Sequence, residues 1–139
     1  MPLNIEYNLK YYIYILILLT TVALISGCDK KSWCSSTEKL RITSQDSVVD
    51  VVIMEKGCGA TTSASTEIYI LPTQKGVEGF TAVFVADKVR GLRVAWEEPK
   101  KLLIEYSSAR IFKFTNFWSS KEVEQFRYEV KIKETQLYW

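Results

Sequence analysis

Two hydrophobic textures divide this chain. From Tyr11 to Ile25 the run YYIYILILLTTVALI carries no charge over about fifteen residues. Beyond residue 40 the apolar positions follow the period of two that marks a β-strand with one wet face. Val48–Met54 (VVDVVIM) is nearly pure β-branched apolar sequence of strand length. Thr66–Thr73 reads as a second strand, with Pro72 near its end, and Phe80–Val89 as a third after the turn-forming QKGVEG. Leu92, Val94 and Trp96 alternate toward one face. Glu97–Lys101 (EEPKK) then turns the chain, and Leu102–Ser108 returns as the second arm of a hairpin. Arg110–Trp118 carries the alternating Phe112 and Phe114. The last strand is the clearest: Phe126, Tyr128, Val130 and Ile132 share one face, with Gln125, Arg127, Glu129, Lys131 and Lys133 on the other. After the first run no helical period recurs, although SSKEVEQF admits one helical turn capped by Ser120.

This pattern predicts an all-β fold: a single small antiparallel β-sheet domain of about six or seven strands, sandwich-like or a curled sheet, after an N-terminal hydrophobic signal helix. The expected division is residues 1–27 as signal peptide, 28–39 as a modified cysteine and polar tether, and 40–139 as the β domain. From Cys28 onward 112 residues remain, enough to bury roughly two-thirds of the unfolded surface without help from a metal.

Charge and composition then exclude function classes. The chain has 18 basic and 16 acidic residues, a net charge of +2 and no histidine. Interspersed charges argue against nucleic acid as a partner. Without histidine the commonest metal ligand and the usual acid–base group near neutral pH are missing. No metal and no cofactor is expected. Ser36-Thr37-Glu38-Lys39 fits the short Ser-x-x-Lys pattern of penicillin-binding enzymes, but its companion motifs are missing and the domain is too small. Glu97 and Glu98 beside Pro99 read as solvated turn charges. A non-catalytic role is the expectation.

The first run is short for a bilayer span, which takes about 20 apolar residues, and suits the apolar region of a signal peptide. It ends in Ile25-Ser26-Gly27-Cys28. This quartet, an aliphatic residue, two small ones and a cysteine, resembles the lipobox of bacterial lipoproteins. That resemblance implies diacylglycerol on Cys28 Sγ, cleavage between Gly27 and Cys28, and often acylation of the new α-amino group. Thiol chemistry suits the step because a cysteine sulfur is strongly nucleophilic. Each buried methylene contributes about 0.8 kcal/mol, so two or three chains hold a protein at a membrane where one holds it only reversibly. The implied place is the cell envelope, lipid-anchored, with the domain outside the cytoplasm. Asp29 resembles the inner-membrane retention residue of Gram-negative lipoproteins; beside Lys30 and Lys31 it reads equally as part of a solvated tether.

With Cys28 carrying lipid, Cys34 and Cys58 are left as an even pair in an oxidising compartment. A disulfide between them is the expectation, contributing roughly 3.5 kcal/mol on the chain-entropy model; two free thiols are the alternative. Gly57–Thr66 (GCGATTSAST) joins two apolar strands with small and hydroxylated residues. Together with EIYILPT it resembles a pattern in small uncharacterised bacterial lipoproteins with a Cys-Gly-Ala-Thr loop, which implies a fold and transfers no activity. Thr61, Thr62 and Ser63 are the binding candidates there, set against a loop whose hydroxyls satisfy their own backbone. At the C-terminal end Leu137, Tyr138 and Trp139 either dock onto the domain or present an apolar patch to a partner. The expected function is an envelope lipoprotein acting as a protein-interaction or accessory module. The alternative is a small-ligand or glycan receptor using the Gly57–Thr66 loop, and a small hydrolase ranks last.

Overall fold

A computed structural model describes residues 5–25, 34–59, 62–123 and 127–135. The chain divides into two compact units, Met1–Ser32 and Trp33–Trp139. The first holds helix α1, Ile5–Ile25. From Tyr11 to Leu19 its side chains are apolar or aromatic on every side and at least 47% exposed, so this stretch has no polar face to turn toward water. Among the described residues no helix is long and apolar enough to cross a membrane.

The second unit is all-β. Among the described residues it has nine strands: β1 Ser35–Thr43, β2 Val49–Gly57, β3 Ser65–Pro72, β4 Phe84–Arg90, β5 Arg93–Glu98, β6 Lys101–Tyr106, β7 Ser108–Phe114, β8 Phe117–Ser119 and β9 Arg127–Glu134. They form a five-stranded sheet in the order β1-β2-β3-β4-β7 and a four-stranded sheet in the order β5-β6-β9-β8. The inward residues of both sheets make one core: Val49, Val51, Ile68, Ile70 and Phe84 from the first, and Leu102, Ile104, Trp118, Tyr128 and Val130 from the second. This is a two-sheet sandwich, with apolar residues alternating inward along strands such as β6 and β9.

Strand β2 shows why VVDVVIM lacks alternation. Val49, Val51 and Ile53 face the core, while Val52 and Met54 join Leu71 in a second apolar cluster against Val77 and Phe80. The segment between β3 and β4 folds back over the outer face of β2 and β3, and a strand covered on both faces needs an unbroken apolar run. Strand β9 is the contrasting case: Tyr128 and Val130 are buried, and Arg127, Glu129 and Lys131 are exposed.

Four features depart from the sequence expectation. Strand β1 starts at Ser35, inside the segment read as tether. It is an edge strand bonded to β2 alone, with exposed side chains from Ser35 to Leu40, so it carries no hydrophobic signal. Phe80–Val83 lies outside β4, because Phe80 packs into the outer cluster and regular pairing begins at Phe84. Arg110–Trp118 is two strands in two sheets, since the chain crosses the sandwich around Asn116 between β7 and β8. Strand β9 runs antiparallel to β8 and parallel to β6, so the second sheet is mixed; a period of two reports faces and is blind to direction. At Ser120 the described residues make a turn, Val123 N donating to Ser120 O at 3.2 Å and Glu122 N to Ser120 Oγ at 3.2 Å.

Candidate functional site

At one end of the sandwich the β1–β2 register sets Ser35 opposite Gly57. The next rung outward is Cys34 opposite Cys58, and these two are disulfide-bonded with their Cα atoms 3.9 Å apart. The bond pins the start of the edge strand to the β2–β3 loop. Within that loop Gly59 takes φ +97°, a conformation other residues rarely adopt. Thr62 Oγ1 donates to Cys58 O at 2.9 Å, so this hydroxyl closes its own loop. Ser63 is exposed. Ser65 Oγ bonds Lys56 O across the hairpin at 3.4 Å. The loop's described hydroxyls at Thr62 and Ser65 are therefore spent on local backbone.

At the opposite end, polar groups the sequence hid are gathered around Asp50. This residue is 2% exposed and sits on the outer face of β2. Its carboxylate accepts from Arg41 Nη1 at 3.0 Å, Thr43 Oγ1 at 2.8 Å and the Gln74 backbone N–H at 3.1 Å. Arg41 in turn donates to both oxygens of Glu38 and to Lys75 O. Burial raises the Asp50 pKa, but the bonds from Gln74, Thr43 and Arg41 outweigh it and hold the carboxyl below its usual range. Asp50 thereby fastens the covering segment that begins at Gln74, itself at φ +68°. In the β1–β2 turn Asp46 accepts from Ser44 Oγ, Val48 N and Tyr128 Oη.

Beyond this anchor lies an open cleft of about 510 Å³. One wall is Glu78, Phe80 and Thr81 from the covering segment; the other is Trp118 on β8 and Ser119–Glu122 after it. Lys75 Nζ lies 3.5 Å from Glu122 Oε2 and joins the two walls at the rim. Two aromatic residues together with hydroxyls and charges of both signs make a lining suited to recognition by shape and hydrogen bonding. Sequence reasoning places Trp118 only at the end of the Arg110–Trp118 run; the residue is buried in the core at 8% exposure, its ring edge-on to Tyr128 at 5.7 Å. It misses that SSKE, read as a turn, would face Glu78–Thr81, because only the fold-back of residues 73–83 creates that neighbour.

Other candidates stand apart from both ends. Ser36 and Lys39 lie on exposed β1, where Lys39 Nζ pairs with Glu55 at 3.3 Å. Asp87 and Arg110 face each other across β4 and β7 as a two-bond ion pair, with Arg110 Nε 2.8 Å from Asp87 Oδ1; the Arg110 guanidinium holds the Asp87 carboxyl below its usual range. Among the described residues no group of three or more Cys, Asp or Glu is placed to hold a metal ion. Gly27, Cys28, Asp29, Thr61 and Trp139 lie outside the described residues. Compared with protein-family models, curated proteins and solved structures, the chain matches none.

Proposed function

We propose that this chain is a lipid-anchored envelope protein whose β domain is a non-catalytic recognition module. The observation that carries the reading is the junction of the uncharged run Tyr11–Ile25 with Ser26-Gly27-Cys28, six residues before the β domain is clamped at Cys34. A thiol at that junction has an obvious chemical use, and Cys34 and Cys58 already use each other. The domain end farthest from the clamp carries the Phe80–Trp118 cleft, which suits a protein partner met above the bilayer.

A photoreactive residue at Ser119 in the native cell tests this. A single reproducible envelope partner, lost in the Cys28→Ala variant, supports the module; capture indistinguishable from a photoreactive residue at exposed Glu97 contradicts it. A small-ligand role, if the cleft serves one, moves from the Gly57–Thr66 loop to Phe80 and Trp118, because Thr62 already bonds its own backbone. Cell-wall fragments would then change tryptophan fluorescence, and a Phe80→Ala variant would abolish the change.

A further inference from the structure

We infer that the disulfide end of the β domain docks on an anionic bilayer surface, with an acyl chain of a bilayer lipid entering the gap between the two sheets there. The inference rests on the lipid-anchor reading above.

The sandwich does not close at this end. Leu40 pairs with Ile53 and so shares its inward face, yet Leu40 is 47% exposed while Ile53 is 8% exposed. The second sheet reaches Ile42, two residues farther along β1, whose carbonyl accepts from Trp96 Nε1 at 3.4 Å. Leu40, Ile53, Met54, Val89 and Leu92 line an opening of about 320 Å³, edged by Thr66 and the Lys39–Glu55 ion pair. A large apolar side chain on the inward face, left uncovered beside a gap of this size, marks a contact surface more than a packing fault.

The rim chooses the occupant. Val89 and Leu92 lie in the run Lys88-Val-Arg-Gly-Leu-Arg93, from the end of β4 through the Gly91-Leu92 turn to the start of β5, so three cationic residues interleave with two that line the gap. Lys88, Arg90 and Arg93 are exposed and make no ion pair among the described residues. The nearby carboxylates are each paired, Asp87 with Arg110, Glu105 with Lys133, and Glu55 with Lys39 at the opening itself. The connection has a defined shape. Gly91 takes φ +62°, and a Cβ there would meet Ser107 Oγ at 2.8 Å. Basic side chains around an apolar opening fit phosphate headgroups above and acyl chains below.

The chain's own geometry brings a bilayer to this end. Cys34 follows Cys28 by six residues, and its partner Cys58 lies three residues beyond Glu55, which lines the opening. Six residues span at most about 20 Å even when extended. The disulfide end therefore stays within that reach of the lipid on Cys28, while the Phe80–Trp118 cleft lies at the other end of the strands.

The full-length protein carrying Leu92→Cys, nitroxide-labelled, tests this in vesicles of phosphatidylglycerol and of phosphatidylcholine. Leu40→Cys serves as a second site and Ser119→Cys as the far-end reference. The expected result is a label at 92 and at 40 several-fold less accessible to an aqueous nickel complex than the label at 119. That difference is confined to phosphatidylglycerol and lost when Lys88, Arg90 and Arg93 are all Gln. Labels at 92 and 40 as accessible as at 119 in phosphatidylglycerol overturn the docking; equal protection in both vesicles overturns its dependence on anionic lipid. The mass of Cys28 in the same sample separates the two readings. Lipid on Cys28 with an accessible label 92 defeats the docking alone, and a buried label 92 with unmodified Cys28 defeats the anchor alone.

Discussion

Tyr128 Oη donates to Asp46 Oδ2 at 3.1 Å, joining residues 82 apart in the chain. The bond ties β9 of the second sheet to the β1–β2 turn of the first. The Tyr128 ring stands edge-on to Trp96 at 5.8 Å and to Trp118 at 5.7 Å, so one side chain spans the core and satisfies a polar turn. Tyr128→Phe keeps the ring contacts and removes the bond. We expect about 1 kcal/mol less stability in urea unfolding, with little change in native tryptophan emission. A loss above about 3 kcal/mol would mean the hydroxyl supports more of the core than this one bond.

Asp50→Ala should loosen the covering segment selectively. It leaves the Gln74 N–H without its acceptor and Arg41 without one of its two carboxylate partners. Breaking a fully buried ion pair costs about 3–5 kcal/mol. Arg41 is 30% exposed and keeps Glu38, which argues for the lower figure of about 2 kcal/mol. Hydrogen exchange should rise first at residues 74–80, ahead of β2 and β3; uniform acceleration through the domain would contradict the anchoring role.

Reduction of the Cys34–Cys58 bond should lower stability by roughly 3.5 kcal/mol on the chain-entropy model and fray β1, whose side chains supply almost no burial of their own. Comparing Cys34→Ser/Cys58→Ser with the oxidised protein in urea gives the figure. Unchanged exchange along Ser35–Lys39 in the double variant would show that β1 holds without the clamp.

The pH dependence has a definite sign on both sides. Burial raises the Asp46 and Asp50 pKa values, and their hydrogen bonds outweigh it, leaving both below the unfolded value near 4. Their contribution is present above about pH 4 and is lost as pH falls through the lower folded values. On the alkaline side, burial and then the neighbouring carboxylate push Tyr69 up to about 12, and burial and then Asp46 push Tyr128 upward as well. Unfolded tyrosines ionise near 10, so stability is full below about pH 10 and falls as pH rises toward the folded values. Tyr128→Phe should flatten the alkaline limb and Asp50→Asn the acid limb in denaturant midpoints taken across pH.

The β class, the β5–β6 hairpin and the faces of β9 were legible because those strands have one dry face and one wet face. Strand β1 was not, since an edge strand bonded through its backbone needs no apolar residue to hold it. The direction of β9 was not, because parallel and antiparallel partners ask for the same alternation. The Phe80–Trp118 cleft was hidden for a further reason: it joins residues nearly forty positions apart through a fold-back whose anchor, Asp50, reads in sequence as a lone charge breaking an apolar strand. That interruption is the one signal that could have revealed it. A carboxylate in a strand stretch buried on both faces requires partners; β1 supplies Arg41 and Thr43, and the covering segment supplies the Gln74 N–H.

Intact mass of the protein extracted from its native membrane is the most direct test of the lipid anchor. A chain beginning at Cys28, heavier than its sequence by diacylglycerol, is the expected result. A chain that runs through Gly27 into Cys28 with a free, alkylatable thiol there would contradict it.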